Sequence, residues 1–158
     1  QRQPAERVRW LQNIIDTDAT AGAQRTDRSR YLAANATLEL TEPLRESFVA
    51  LRLTMPLKES LARKRALMEQ TLEAYGRAAD YGVAEVTTAS TYRIGQMYQI
   101  FSRDLMDSQR PPDLDSDALE QYDILLEEQA FPFEEQAIEI YEANAVRAAD
   151  GVYDEWVR

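Results

Sequence analysis

The stretch EQTLEAY at residues 69–75 recurs as EQAIEIY at residues 135–141, with four of the seven residues identical at a shift of 66. Shortly after, RAAD at residues 77–80 recurs at residues 147–150, and a glycine follows each copy, at Gly82 and at Gly151. A weaker third member ends at Gly22. Because self-similarity at a regular period is typical of repeat architectures, we expect stacked units with junctions near residues 22, 82 and 151.

Apolar residues recur at spacings of three and four along almost the whole chain, and alternating strand patterns are missing. This pattern predicts an all-α protein. We expect a first helix over residues 4–22 and a second over residues 24–40. Pro43 then predicts an interruption, followed by a short helix over residues 44–53 that ends before Pro56, because a residue that precedes proline avoids helical geometry.

The second half of the chain predicts three further helices and a fragment. Two helices are expected over residues 57–81 and 84–108, ending at Gly82 and before Pro111. Asp117, followed by Glu120, predicts the N-cap of a helix that Pro132 kinks or breaks before it continues to Gly151. A last helix is expected to begin at Val152.

Each repeat contains a helix that begins after a glycine, a connection with proline, and a second helix that ends at the next glycine. An α-hairpin of this kind buries its apolar face only against its neighbours, so the pattern predicts a solenoid of α-hairpins. Gly95 is expected where two helices approach closely. The side chains expected between hairpins are Leu72, Tyr75, Ile94, Tyr98, Ile138 and Tyr141.

Composition excludes several classes of function. The 158 residues include no cysteine and no histidine, which rules out thiol nucleophiles, Ser-His-Asp triads and metal sites built on those two residue types. The formal net charge of −10 argues against nucleic-acid binding, because phosphates are neutralised by clustered Lys and Arg. No apolar run approaches the roughly 18 to 20 residues that span a bilayer, so we expect no membrane insertion.

Charge is divided unevenly along the chain. Residues 1–79 carry 13 basic and 10 acidic side chains, a net charge of +3, whereas residues 80–158 carry 5 basic and 18 acidic side chains, a net charge of −13. One interpretation is ordinary solvated helix faces. The other is an acidic half that meets a basic partner, or the basic end of a second copy.

Two acidic clusters contain the residue types that metal and catalytic sites use. Asp113, Asp115 and Asp117 alternate like calcium-loop ligands, but Ala118 and Ile124 stand where such a loop needs glycine and an acidic ligand, which favours helix capping. Four glutamates could in principle form a catalytic or cation-binding pair, but they favour a solvated face because no histidine or phosphate cradle accompanies them. These are Glu127, Glu128, Glu134 and Glu135.

The chain resembles the tetratricopeptide-repeat family. Thr91, Ile94, Gly95 and Tyr98 follow the spacing of the first helix of such a repeat, and residues 82–88, 122–135 and 151–156 look like the C-terminal part of large bacterial repeat proteins of the cell envelope. Some relatives of that kind accompany gliding-motility or TonB-type machinery. The resemblance implies a scaffold in the periplasm or cell envelope and leaves a cytoplasmic setting open. A standard repeat has about 34 residues, so the helices here would be elongated.

In repeats of this kind the first helices line the inner groove. A shift of 61 places Tyr31 and Asn35 over Tyr92 and Gln96, and each pair stands at i and i+4 on one helix face. With Gln99 added, these residues form the predicted peptide-binding or protein-binding groove. The alternative is that the tyrosines belong to the helix-packing core.

The sequence therefore predicts a non-catalytic scaffold that binds a protein or peptide, with a basic partner as one expectation and with no cofactor or metal. The alternatives are a structural or oligomerisation domain without a ligand groove and, third, an enzyme that uses the carboxylates. The chain opens without Met and stops within an apolar helix pattern, so we expect a fragment of a longer array. Its C-terminal end would then self-associate through apolar side chains near Phe133, Ile140 and Trp156.

Overall fold

A computed structural model describes the backbone of residues 2–149 and the side chains of residues 4–147. Within this range 85% of the residues are helical and no strand is present, which confirms the all-α prediction. A short 3-10 turn, Gly22–Gln24, follows the first helix. The five α-helices are α1 (Arg2–Thr20), α2 (Asp27–Ala50), α3 (Leu57–Ala79), α4 (Ala84–Met106) and α5 (Ser116–Ala149).

Each helix packs against the helix that follows it in the chain, and α2 also contacts α4. Gly22 and Gly82 both lie between helices with positive φ angles of 49° and 66°, a conformation that glycine adopts without steric cost. The α2–α3 and α4–α5 connections meet, because the Gln109 amide donates to the Leu53 carbonyl at 3.1 Å. The helices therefore form a sequential array, and its division into repeats stays a prediction.

The main core lies where α2, α3, α4 and α5 meet. Phe101 stands at its centre, with its ring 4.6 Å from that of Phe133 and 6.5 Å from that of Phe48. Burying side chains of this size contributes roughly 2 to 3 kcal/mol each. The core is lined by Phe48, Leu53, Met68, Tyr75, Met97, Phe101, Leu105 and Ala130.

The interruption predicted at Pro43 is wrong, and so is the break at Pro132. Both prolines lie inside continuous helices, α2 and α5. Each is exposed, so the carbonyl that loses its helical donor lies toward solvent and water can satisfy it. The predicted short helix over residues 44–53 is instead the last part of α2, which ends at Ala50.

Two local predictions for α5 need correction. The cap is Asp115 rather than Asp117, because the Asp115 carboxylate accepts the Ala118 amide at 2.9 Å. Ile138 is exposed rather than buried between hairpins, because it stands about 100° around α5 from Ala137, away from the centre of the packed side. The other five residues predicted between hairpins are buried or half-buried: Leu72, Tyr75, Ile94, Tyr98 and Tyr141.

Gly95 lies at the contact of α4 with α5, as predicted. A Cβ atom at this position would stand 2.8 Å from Cε1 of Tyr141, which is closer than such atoms normally approach. A Cβ atom placed on Gly76, in the last turn of α3, would have no atom within 4 Å. The two helical glycines therefore differ: Gly95 lies where another helix approaches closely, whereas nothing packs against Gly76.

Lys64 ties three helices together from a completely buried position on α3. Its Nζ donates to the carbonyls of Phe48 and Leu51 at 2.9 and 2.7 Å, at the C-terminal end of α2. The same Nζ lies 2.5 Å from Oδ2 of Asp104 on α4 and 4.5 Å from the centre of the Phe48 ring. The Lys64 cation satisfies carbonyls at the C-terminal end of α2 and forms an ion pair with the Asp104 carboxylate.

The C-terminal prediction can be compared with the structure only as far as the described residues extend. Gly151, the helix from Val152 and Trp156 lie outside the described residues. Phe133 and Ile140 were expected on an exposed face, but both are half-buried because they project toward α4. The exposed apolar side chains of α5 are different ones, and they are described below.

Candidate protein-interaction surfaces

One face of α2 carries polar side chains along most of its length. Tyr31, Asn35, Glu39, Glu42 and Glu46 follow one another at spacings of three or four, which places them on one side of the helix. Open space borders this face on both sides. The cleft toward α1 has a volume of about 610 Å³ and the cleft toward α4 about 340 Å³, and Glu39 and Glu42 line both.

The cleft between α2 and α4 contains one of the predicted groove residues, Asn35. Arg93 of α4 lies across from it, beside Ala89, whose small side chain leaves room between the helices. The cleft is shallow and open to solvent, which fits an extended chain better than an enclosed small molecule.

Four side chains form a polar row across α2 and α4: Glu42, Arg93, Gln96 and Tyr92. Arg93 Nε lies 3.8 Å from Glu42 Oε1, and Arg93 Nη1 donates to Gln96 Oε1 at 2.9 Å. Gln96 Nε2 donates to the Tyr92 hydroxyl at 3.2 Å. The Tyr92 ring lies 5.8 Å from that of Tyr141, so the row continues to α5.

Glu42 anchors the α2 end of this row. Partial burial opposes its ionisation, but hydrogen bonds from Arg45 Nε at 2.8 Å and from the Tyr75 hydroxyl at 2.9 Å outweigh that effect and lower its pKa. Burial and the bond to Glu42 raise the pKa of Tyr75 above its ordinary value. The row therefore keeps a fixed negative charge at neutral pH.

The five predicted groove residues are divided between two helices and two kinds of contact. Tyr31 is exposed, and the Asn35 amide donates to the Tyr31 carbonyl at 2.9 Å. Tyr92 and Gln96 belong to the polar row. Gln99 is exposed and accepts from the Tyr141 hydroxyl at 3.3 Å. Of the five, Asn35 lines the cleft between α2 and α4, and peptide binding by these residues stays a prediction.

The outer face of α5 carries an apolar stripe that consists of Ile124, Phe131, Ile138 and Val146. Each side chain is between 51% and 62% exposed, although the opposite side of the helix is packed on α4. The first three stand seven residues apart, nearly two helical turns, so they follow one line along the helix. A folded chain that exposes aligned side chains of this size presents an interaction surface.

An acidic rim borders and interrupts this stripe. Of its six exposed glutamates, Glu128, Glu135 and Glu142 stand between the apolar residues on the same helix face and the others stand beside them. No side chain in the described part of the chain forms an ion pair with any of the six. Over its whole length α5 carries nine carboxylates and one cation, Arg147, which is a net charge of −8. The acidic rim consists of Glu127, Glu128, Glu134, Glu135, Glu139 and Glu142.

Sequence reasoning missed Glu42, Arg93 and the apolar stripe. Glu42 stands seven residues after Asn35 and so shares its face, but the helix break assumed near Pro43 hid that relation. The spacing of Ile124, Phe131 and Ile138 is equally visible in the sequence, and the break assumed at Pro132 hid it. Arg93 directly follows Tyr92 and stands three residues before Gln96, so its position beside two predicted groove residues is visible in the sequence.

Comparison with known protein families, curated proteins and solved structures finds no match to this chain. None of the helices within residues 2–149 has the combined length and apolar character that crossing a membrane requires. Among the described side chains, no group of three or more acidic residues is placed to hold a metal ion.

Proposed function

We propose that this chain is a non-catalytic scaffold of stacked α-hairpins that binds an extended peptide segment of another protein in the cleft between α2 and α4. The observation that carries the proposal is the contact of α2 with α4, which forms an open polar cleft lined by Asn35, Glu39, Glu42 and Arg93. In a tetratricopeptide-like array the first helices of successive hairpins contact each other in this way. The proposal includes the periplasmic or cell-envelope setting that the resemblance implies.

The chemistry of the cleft favours a peptide with basic residues. Glu39, Glu42 and Glu46 stand along one side of α2, and Glu42 stays ionised because Arg45 and Tyr75 hold it. Arg93, together with the Asn35 and Gln96 amides, supplies donors and acceptors suited to a peptide backbone. Glu39 is ion-paired with Arg7 of α1 at 2.6 Å, but this pair is exposed and contributes little to stability. A peptide cation that replaces Arg7 at Glu39, or that pairs with Glu46, leaves the polar row intact.

The test selects peptides by display on the intact chain and maps the tightest binder by amide chemical shifts in the labelled protein. We expect shifts around Asn35 on α2 and around Arg93 on α4. Glu39→Lys should weaken a basic binder by about tenfold or more, the effect of roughly 1.4 kcal/mol. Glu73→Lys makes the same charge change on α3 and likewise breaks an exposed ion pair, with Arg77. It is the matched control and should leave binding unchanged.

Two results would contradict the proposal. Shifts confined to other helices would place the binding site elsewhere. A selection that returns no binder, from a chain that self-associates, would instead support the structural or oligomerisation role.

A further inference from the structure

The outer face of α5 suggests a second binding surface that shares no residue with the cleft between α2 and α4. We propose that the apolar stripe and acidic rim of α5 dock a basic amphipathic helix of another protein, with the apolar face of that helix against Ile124, Phe131, Ile138 and Val146. This inference does not depend on the proposed function of the cleft. Three observations support it: the exposure of the apolar stripe, its spacing along α5, and the negative charge around it.

The first step is exposure on a helix that is otherwise well packed. α5 makes the most extensive contact in the fold, against α4, with Leu126, Ala130, Ala137 and Asn144 buried in it. Its packing therefore fixes which side faces outward, and the apolar stripe stays on that side along the helix. An exposed apolar line on a firmly held helix is available for docking without a rearrangement of the fold.

The second step is the spacing. Ile124, Phe131 and Ile138 repeat every seven residues, so one apolar side chain per heptad follows the line of a helix packed along α5, while Glu127 and Glu134 stand at the other contact position of these heptads. From Ile124 to Val146 the stripe covers 22 residue steps, about 33 Å at 1.5 Å per residue. This length fits a partner helix of roughly three heptads. The stripe is longer than a single helical turn or a single side chain of a partner would cover.

The third step is charge, which selects the class of partner. The six glutamates of the acidic rim repel one another, as Glu135 and Glu139 do at i and i+4, and this repulsion is relieved when Lys or Arg side chains approach. Two copies of this face placed together would oppose their carboxylates, so α5 is poorly suited to pair with α5 of a second copy. An anionic membrane surface would be repelled for the same reason.

The basic half of a second copy is a weaker candidate. Its exposed basic residues on α3, Lys58, Arg63 and Arg65, are not accompanied by an exposed large apolar side chain on that helix. On α1 the exposed Trp10 and Val8 stand beside Arg7 and Arg9, but that helix as a whole carries three basic and three acidic residues. A separate basic amphipathic helix satisfies both the apolar and the charge requirement.

The test uses three synthetic peptides of about 21 residues and the full chain. The basic probe has Leu at the a and d positions of each heptad and Lys or Arg at e and g. The acidic probe replaces those cations with Glu, and the third replaces the leucines with Ser. Fluorescence anisotropy should show binding of the basic probe, at least about tenfold weaker binding of the other two, and weakening as salt is raised from about 0.05 to 0.5 M.

Substitutions locate the surface. Phe131→Gln with Ile138→Gln should weaken the basic probe by about tenfold or more, whereas Val49→Gln, a substitution of an exposed apolar residue on α2, should have no effect. Glu128→Gln with Glu135→Gln should weaken binding and reduce its salt dependence. Glu59→Gln with Glu69→Gln removes the same charge from α3 and is the control. Circular dichroism verifies that every variant remains helical.

Several outcomes overturn the proposal. Equal binding of the basic and acidic probes would show that the acidic rim does not select the partner. No binding of the basic probe would show that the apolar stripe is not a docking surface for such a helix. Amide shifts at Asn35 and Arg93 rather than on α5 would assign the probe to the cleft. Self-association of the chain that Phe131→Gln with Ile138→Gln abolishes would make a second copy the occupant. None of these results contradicts peptide binding at the cleft, so the two proposals fail separately.

Discussion

The interior junction at Lys64 and the outer face of α5 use charge in opposite ways. At the junction, one buried cation is satisfied by two carbonyls and one carboxylate from two neighbouring helices. On α5, six exposed glutamates stand among and beside apolar side chains, and no described residue neutralises them. The first arrangement is complete within the chain, whereas the second leaves its carboxylates in water, where a cationic partner can reach them.

This difference separates residues that hold the fold from residues that are available to a partner. A buried charge is costly unless every partner is present, so Lys64 should be intolerant of change. An exposed charge in water contributes little to stability, so the acidic rim should tolerate change. Stability measurements can therefore test the distinction independently of any binding experiment.

The largest expected effect is the loss of the Lys64 ammonium. Lys64→Met leaves the carbonyls of Phe48 and Leu51 and the carboxylate of Asp104 without their donor. Removing one partner of a buried pair costs about 3 to 5 kcal/mol of unfolding free energy, which urea denaturation at neutral pH would measure. A change below about 1 kcal/mol would mean that the junction is not a determinant of stability.

Two further variants sharpen this prediction. Lys64→Met with Asp104→Leu removes both charges, so it should recover part of the lost stability, since an apolar pair can replace a buried ion pair. Lys58→Met removes an exposed cation from the same helix and should change stability by less than about 0.5 kcal/mol. A double variant no more stable than Lys64→Met would assign the loss to the helix-end carbonyls instead of to Asp104.

The next effect concerns Gly95, on the inner side of the contact that holds α5. Gly95→Leu places a large side chain against Tyr141 and should cost about 1 to 3 kcal/mol by overpacking. Gly95→Ala should cost less, because alanine regains up to about 1 kcal/mol of helix propensity. Thermal unfolding of both variants measures the difference.

Gly76 is the matched control for this pair, because it is also a helical glycine but has no neighbour where a Cβ would stand. Gly76→Ala should stabilise the chain by up to about 1 kcal/mol. Stabilisation by Gly95→Ala as large as that by Gly76→Ala would show that α4 and α5 do not approach closely at Tyr141.

Glu42 is intermediate between the two regions, because it is partly exposed and yet paired. Its pKa in the folded chain lies below the ordinary value of 4.5, so its contribution to stability is present above that pH and is lost as the pH falls toward the folded pKa. Glu42→Gln should cost about 1 to 2 kcal/mol at pH 7. The difference in unfolding free energy between Glu42→Gln and the wild-type chain should narrow below about pH 4.5, as measured by urea titrations.

Glu46→Gln, one turn further along α2, is the control for Glu42→Gln. Glu46 is exposed, so the substitution should change stability by less than about 0.5 kcal/mol at either pH. A Glu42→Gln deficit that stays constant from pH 7 to pH 3 would show that the loss is one of packing and not of the ionised carboxylate.

The sequence predicts the helices well where glycine separates them and poorly where proline lies within them. Gly22 and Gly82 mark connections because positive φ is available there at no cost. Pro43 and Pro132 removed one hydrogen bond each without ending a helix, because the surrounding turns pack against neighbours and the prolines face solvent. Whether a proline interrupts a helix is thus decided by tertiary packing, which the local sequence does not contain.

The same error affected the candidate surfaces. Once α5 is assumed to break at Pro132, Phe131 and Ile138 belong to different helices and their common face disappears. The junction at Lys64 could not be predicted at all, because its partners lie 13, 16 and 40 positions away in the sequence. Long-range partners of a single cation leave no periodic signal.

The smallest expected effect is at Phe131, and it is the most direct test of which side of α5 faces outward. Phe131→Ala should change unfolding free energy by less than about 0.5 kcal/mol, since the side chain is largely in water and alanine favours helix. Phe133→Ala, two residues away on the packed side, removes the ring that contacts Phe101 and should cost about 3 kcal/mol. Parallel urea titrations compare the two. If Phe131→Ala costs as much as Phe133→Ala, another part of the chain covers the stripe, and the basic helix proposed to dock there has no surface to bind.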